Sequence, residues 1–293
     1  MRKVRMLCLI AAALVFTGGC SEMRVRENSS TAYAMVRDKF AAQQSYEFYG
    51  RTKVLSANSA NGNMVNFSGR KDGTAAYMNI RRSHPEQSRA QTLSLLDQDG
   101  KKLYARLEND KDWREAGLQE AVLRQEWNNW DPAYAFAQMD EMKQRIIPLT
   151  SLRSARDVAA IEVVLDSAKL KKWLASQLRE QQGARVQSAA SFWPYQPSVK
   201  LAWRLTRGSG FAAGSAGAQV QSAPPSDLNE ILKRMDVEAK YTIYYNKSSM
   251  LPTSITMSIR SAYNFRDQRV QEHSQVDTYL QNYGRAKPIP RPA

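Results

Sequence analysis

Cysteine and histidine are nearly absent from this chain of 293 residues, which holds two of each. Cys8 and Cys20 both fall within the first twenty residues, so no disulfide framework holds the body that follows. His84 sits beside Pro85 in a polar stretch, and His273 lies near the start of an expected strand. Two histidines without carboxylates at ligand spacing do not outline a metal site. No serine stands in a G-x-S-x-G elbow. Gly208-Ser209-Gly210-Phe211-Ala212-Ala213 matches a loose phosphate-loop pattern, but Gly214-Ser215-Ala216-Gly217 follows instead of an amphipathic helix. No apolar run reaches the ~20 residues that span a bilayer. There is no block of five or more Lys/Arg either. No catalytic constellation assembles, so the chain is expected to be no enzyme and to need no cofactor and no metal.

What is present begins at the first residue. Met1-Arg2-Lys3-Val4-Arg5 is basic, and Met6 to Phe16 is apolar throughout. A basic start, a short apolar core and small residues at its exit are the parts of a secretory signal. Phe16-Thr17-Gly18-Gly19-Cys20 resembles the bacterial lipobox, with Thr17 where that motif prefers Leu. The resemblance implies a diacylglyceryl thioether on Cys20 and cleavage just before it. An ordinary cleaved signal with an incidental cysteine is the alternative. Cleavage before Cys20 removes Cys8 and leaves one thiol at the new N-terminus, which fits a role in carrying acyl chains. Each buried methylene contributes about 0.8 kcal/mol, and two or three chains anchor where one does not. The expected location is the extracytoplasmic face of a cell membrane, with the membrane as partner through the lipid.

The chain carries 42 Lys+Arg against 28 Asp+Glu, a formal net charge of +14. Outside the cytoplasm the available anions are lipid head groups and cell-wall polymers, and a basic surface is attracted to both. No nucleic-acid partner is expected. A generally basic surface without a specific anionic ligand is the plainer reading.

Hydrophobic periodicity sets out the body. Ser21 to Asn28 reads as a tether, followed by a helix capped at Ser29 to Thr31 and ending near Gln44. Ser45 to Leu55 alternates apolar and polar residues, the period of a half-buried strand. Further strands are expected over Met64–Lys71, Thr74–Arg81, Gln91–Leu96 and Lys102–Leu107, and around Asp112–Glu115. Asn61-Gly62, Asp72-Gly73 and Asp97-Gln98-Asp99-Gly100 supply turns. Strands this close, joined by tight turns, form an antiparallel meander. Helices are expected over Leu118–Trp130 and from Pro132 to about Gln144, the second capped by Asp131. Ala159–Leu165 reads as a strand, followed by a helix carrying Leu170, Trp173, Leu174 and Leu178 on one face. From about 182 to 225 Gly, Ala and Ser accumulate without a periodic face, as in a flexible insertion, with a short strand possible over Lys200–Arg207. A brief helix over Ser226–Met235, strands at Val237–Tyr245, around Ile255–Ile259 and at Gln275–Tyr283, and an extended, frayed tail over 286–293 complete the chain.

This order of elements resembles the lipoprotein-carrier superfamily of LolA, LolB and LppX-like exported bacterial proteins. The likeness rests on a helix followed by Tyr46-Glu47-Phe48-Tyr49-Gly50, and on Lys102 to Leu107 with Asp112-Trp113-Arg114. It rests further on Ala160 to Asp166 leading into Leu170-Lys171-Lys172-Trp173, and on Tyr244-Tyr245-Asn246-Lys247 with Leu251-Pro252 and Tyr279 to Gly284. The resemblance implies an α+β fold over residues 29–285. A strongly curved antiparallel sheet would form an incomplete β-barrel, with helices plugging its concave face. It also implies a non-enzymatic binder of an apolar or amphipathic, lipid-like ligand. Tyr46, Phe48, Tyr77, Trp113, Tyr241 and Tyr245 are the candidate ligand-binding residues; with Phe67 they either fill the core or line a cavity. The alternative function is a sensor or interaction module acting on a membrane or cell-wall partner protein.

Overall fold

The computed structural model describes residues 29–54, 64–83, 90–117, 120–149, 157–187, 233–265 and 268–290. The expected signal (1–19), the tether (20–28) with Cys20, the turn at Asn61-Gly62 and the strand at 200–207 lie outside the described residues. So does the expected insertion beyond residue 187. The helix expected over Ser226–Met235 is described only from residue 233 on, where Lys233 and Arg234 are helical.

Eleven strands and four helices are found among the described residues. In chain order they are α1 Ser29–Ala41, β1 Ser45–Val54, β2 Met64–Asp72, β3 Ala75–Ser83, β4 Gln91–Gln98, β5 Lys102–Leu107, β6 Arg114–Glu115, α2 Glu120–Asn128, α3 Pro132–Met142, β7 Lys143–Pro148, β8 Val158–Leu165, α4 Ser167–Gln187, β9 Asp236–Asn246, β10 Pro252–Phe265 and β11 Gln268–Gln281. The fold is α+β. One antiparallel sheet runs in the order β6-β5-β4-β3-β2-β1-β11-β10-β9-β8-β7. It curves into an incomplete barrel, with helices plugging its concave face.

Two meanders make this sheet, β1–β6 and β7–β11. They are joined where the first strand pairs with the last, from Glu47 opposite Gln281 to Val54 opposite Ser274. That seam dictates the plug. β6 and β7 end at opposite edges of the sheet, so the chain between them has to cross it. It crosses as α2 and α3 over the concave face, burying Leu123, Trp127, Trp130, Phe136, Met139 and Met142. Each such side chain contributes about 1.5–3 kcal/mol when fully buried. Asp131 caps α3 by accepting from the N–H of Ala133 at 3.0 Å, with Pro132 at the first helical position.

Polar fasteners tie the plug to the sheet. Glu126 on α2 accepts from the guanidinium of Arg82 on β3 and from Trp130 Nε1 at 2.9 Å. Arg124 donates to Asp97 on β4 at 2.6 Å. Tyr241 on β9 donates to the Gln138 side chain on α3. Asp140 on α3 accepts from Tyr33 at 3.2 Å and Arg37 at 3.2 Å, both on α1. Burial comes first in raising the Tyr33 pKa above its ordinary value, and Asp140 adds to it.

Close approach of β1 and β2 depends on two glycines. Phe67 faces Gly50 and Phe48 faces Gly69 across the ladder. A Cβ at Gly50 would lie 2.3 Å from the Phe67 ring, and one at Gly69 would lie 2.2 Å from the Phe48 ring. The far end of each ring therefore occupies the space a side chain on the facing glycine would need.

Four boundaries differ from the sequence reading. α1 ends at Ala41, not near Gln44. α3 stops at Met142, because the β-branched Ile146 and Ile147 make Lys143–Pro148 an edge strand ending in proline. α4 runs to Gln187, past the point where the insertion was expected to start. β11 begins at Gln268, seven residues before the alternating pattern shows it. The tail is also pinned at its root. Ala286 N donates to Ser45 Oγ and Lys287 N to Glu47 Oε1, each at 3.0 Å. The Lys287 N–H and the Asn282 amide hold the Glu47 carboxyl below its ordinary pKa. Every described element lies within residues 29–290, so a chain starting at Ser21 carries the whole described fold.

The Arg82–Glu126 pair is 13% and 6% exposed, so removing one partner strands a buried charge. Glu126→Leu is expected to lower the unfolding free energy by about 3 kcal/mol, with Arg82→Met in the same chain restoring most of it. Urea midpoints at unchanged slope read this out; losses that simply add in the double variant would contradict the fastening.

Candidate functional site

Strand alternation sorts the sheet into two faces. On the concave face β9 presents Val237, Ala239, Tyr241, Ile243 and Tyr245, all buried, while Glu238 and Lys240 point outward. Tyr46 and Phe48 share this face on β1, and Phe67 on β2. They pack under the helices: Phe40 lies 4.9 Å from Tyr46 and 5.1 Å from Phe136, and Phe67 stacks on Trp130 at 5.0 Å. Tyr46, Phe48, Phe67, Tyr241 and Tyr245 are each 3% exposed. Burial pushes the Tyr241 and Tyr46 hydroxyls well above their ordinary pKa.

Tyr77 and Trp113 lie elsewhere. Met78 and Ile80 take the concave positions of β3, so Tyr77 points outward. It meets Trp113 edge-on at 6.3 Å. The six candidate aromatics therefore fall into two groups on opposite faces of the sheet.

The plug leaves one part of the concave face less covered. Toward the ends of β10 and β11 away from Pro252 and Gln281, Met257, Ile259, Val270 and Val276 are only half-buried against the core. The register sets Met257 opposite Val276 and Tyr263 opposite Val270. Thr52 faces Val276 across the seam, and Ala239 faces Ile259 on β9. Beside this strip the β1–β2 ladder ends at Arg51 and Asn66. The next amide, Val65 N, donates to the Thr52 hydroxyl at 3.0 Å instead. The result is a half-covered trough of mixed lining: Ser274 and Glu272 face inward between Val276 and Val270, and Thr52, Ser261 and Tyr263 beside them are buried. Sequence reasoning caught the alternation of Ile255, Met257 and Ile259. It missed Val270, because the intervening Glu272 and Ser274 also face inward and break the apolar pattern.

A polar tie lies on the reverse side of the trough. On the outer side of β11, Asp277 accepts from Lys53 at 2.9 Å, Thr256 at 3.1 Å and Gln275 at 2.7 Å, which ties β1, β10 and β11 together. Burial alone would raise the Asp277 pKa; these three donors outweigh it and hold the carboxyl below its ordinary range.

Among the described residues the site is mainly apolar side chain. No group of three His, Cys, Asp or Glu among the described residues is placed to hold a metal. Ser258 Oγ and His273 Nε2 lie 3.0 Å apart on the outer face. Burial, then the charge of Arg260, lowers the His273 pKa, and among the described residues no carboxylate orients the ring. No described helix is long and apolar enough to cross a membrane.

The depressed Asp277 pKa contributes stability above the ordinary carboxylate value, about 3.9. That contribution is lost as pH falls through the lower folded value. Lys53 is 36% exposed, so screening reduces the ion-pair part. Asp277→Asn is expected to lower neutral-pH stability by about 1–2 kcal/mol and to flatten the loss below pH ~4. Unfolding midpoints across pH would show it; a variant with an unchanged acid limb would contradict it.

No family model and no curated protein matches this chain. Among solved structures, the Mycobacterium tuberculosis lipoprotein LppX aligns over 90% of this chain and 99% of its own, at 9% identity and a TM-score of 0.39. A LolA superfamily protein from Nitrosomonas europaea aligns over 89% of this chain and 94% of its own, at 10% identity and a TM-score of 0.28. A DUF1329 family protein from Desulfovibrio piger aligns over 87% and 91%, at 8% identity and a TM-score of 0.29. The chain is thus remotely similar to LppX-like and LolA-like proteins.

Proposed function

We propose that this chain is an extracytoplasmic lipoprotein, held to a membrane by acyl chains on Cys20. In this reading it binds an apolar or amphipathic, lipid-like ligand without chemical turnover. The observation that supports the binding reading is the cluster of half-buried Met257, Ile259, Val270 and Val276 on the concave side of β10 and β11. Apolar side chains left partly open beside a packed core mark a place for an apolar guest. The half-buried, inward-facing Ser274 suits a guest with one polar end. The buried aromatics Tyr46, Phe48, Tyr241 and Tyr245 would then serve as the wall behind the trough. The anchoring reading is supported by the basic start, the apolar core and Gly18-Gly19-Cys20.

Protein purified from its own host and denatured is expected to release a lipid-like molecule detectable by mass spectrometry. Ile259→Trp, which fills the trough, is expected to reduce the released amount by about tenfold while the thermal midpoint holds. A native protein that repeatedly releases nothing would overturn the binding reading. Separately, Cys20→Ser is expected to abolish the mass added by acylation and to move the chain out of the lipid-anchored fraction. An unmodified Cys20 in the native protein would overturn the anchoring reading while leaving the trough untouched.

A further inference from the structure

The outer face of the N-terminal meander carries a second arrangement. Ladder register aligns Arg70, Tyr77, Leu96 and Tyr104 across four neighbouring strands. The next line holds Tyr49, Ser68, Asn79, Ser94 and Arg106. Leu96 is fully buried here although it points away from the main core. The Arg70 guanidinium lies 5.0 Å over the Tyr77 ring, and that of Arg106 lies 4.6 Å over Trp113. Stacking fixes both cations in place before any anion arrives. Tyr49 and Tyr279 stack at 5.2 Å and are 46% and 40% exposed. Arg51 and Arg81 are exposed on the same face, each opposite Asn66.

Four acids border this patch: Glu47 faces Arg70 and Asp277 faces Arg51 across the ladder, Glu115 faces Tyr104, and Asp72 is exposed on β2 beside Arg70. Glu47 accepts from the Asn282 amide and the Lys287 backbone N–H, Asp277 pairs with Lys53, and Glu115 lies 3.9 Å from Lys102. No described carboxylate pairs with Arg51, Arg70, Arg81 or Arg106. Arg70 Nε is shielded from solvent and has no hydrogen-bond acceptor. Four arginines in no ion pair with a described residue, interleaved with tyrosine and tryptophan, combine two features of an interfacial surface. Arginine is attracted to anionic head groups, and amphipathic rings settle at head-group depth.

The geometry points to this face as a docking surface for an anionic bilayer, which would add to any lipid anchor and holds whether or not Cys20 is acylated. The chain from Ser21 to Ala293 is mixed with vesicles of phosphatidylcholine alone, or with one quarter phosphatidylglycerol, and sedimented. Partitioning is expected onto the anionic vesicles only, and to fall steeply between low and high salt. Arg70→Gln with Arg106→Gln is expected to weaken it by about tenfold or more. Arg51→Gln with Arg81→Gln, which changes exposed side chains only, is expected to do likewise. Arg260→Gln, on the outer face of β10, serves as the control and is expected to leave it unchanged. Equal binding to both vesicle types would overturn the proposal. So would undiminished binding by both folded double variants, or capture of a single-stranded oligonucleotide with no vesicle binding.

Discussion

The pairing of β1 with β11 is the constraint on which the structure turns. Residues 47–54 meet residues 274–281, the longest sequence separation in the sheet. Once that seam forms, two meanders become one sheet, and its free edges, β6 and β7, are left far apart along the strand order. The chain between them then has to bridge the concave side. The helical plug is thus a consequence of topology before it is a matter of helix propensity. The hydrogen bonds from residues 284–287 to Ser45 and Glu47 extend the seam past the end of β11. A closure this non-local is slow to reach, because loop entropy is lost before contacts repay it.

From the seam follows the division of the interior. α2 and α3 cover the aromatic half, where Phe40, Tyr46, Phe136 and Tyr241 pack and Asp140, Glu126 and Gln138 find partners. On β10 and β11 Met257, Ile259 and Val276 are left half-buried beside that cover. Asp277 bridges three strands on the reverse side of these positions. Along β10 burial is complete at Ile255, partial at Met257 and Ile259, and complete again at Ser261 and Tyr263, so the half-open positions form a local gap in the cover.

Much of the fold was legible because its signals are local. Alternation at Val237–Tyr245 and the turn residues at Asp72-Gly73 and Asp99-Gly100 fixed strands and hairpins to within a few residues. Asp131-Pro132 marked the start of α3. β7 was hidden because Lys143–Pro148 is short, polar at its start and continuous with a helical stretch. The first half of β11 was hidden because its inward positions include Glu272 and Ser274. The candidate site was harder still. Aromatic residues draw attention, yet their large apolar surface favours full burial, and five of the seven singled out are sealed beneath helices. The half-open positions are Met, Ile and Val, whose exposure depends on where the plug ends. The split of Tyr77 and Trp113 from the others follows from face assignment, which register and not composition decides.

Experimental density for the protein isolated from its own host bears most directly on whether the trough is a binding site. The account predicts elongated, non-protein density lying along Met257, Ile259, Val270 and Val276, with the aromatic wall behind it unmoved. Side chains from elsewhere in the chain, packed directly onto those four residues with no room left between, would contradict it.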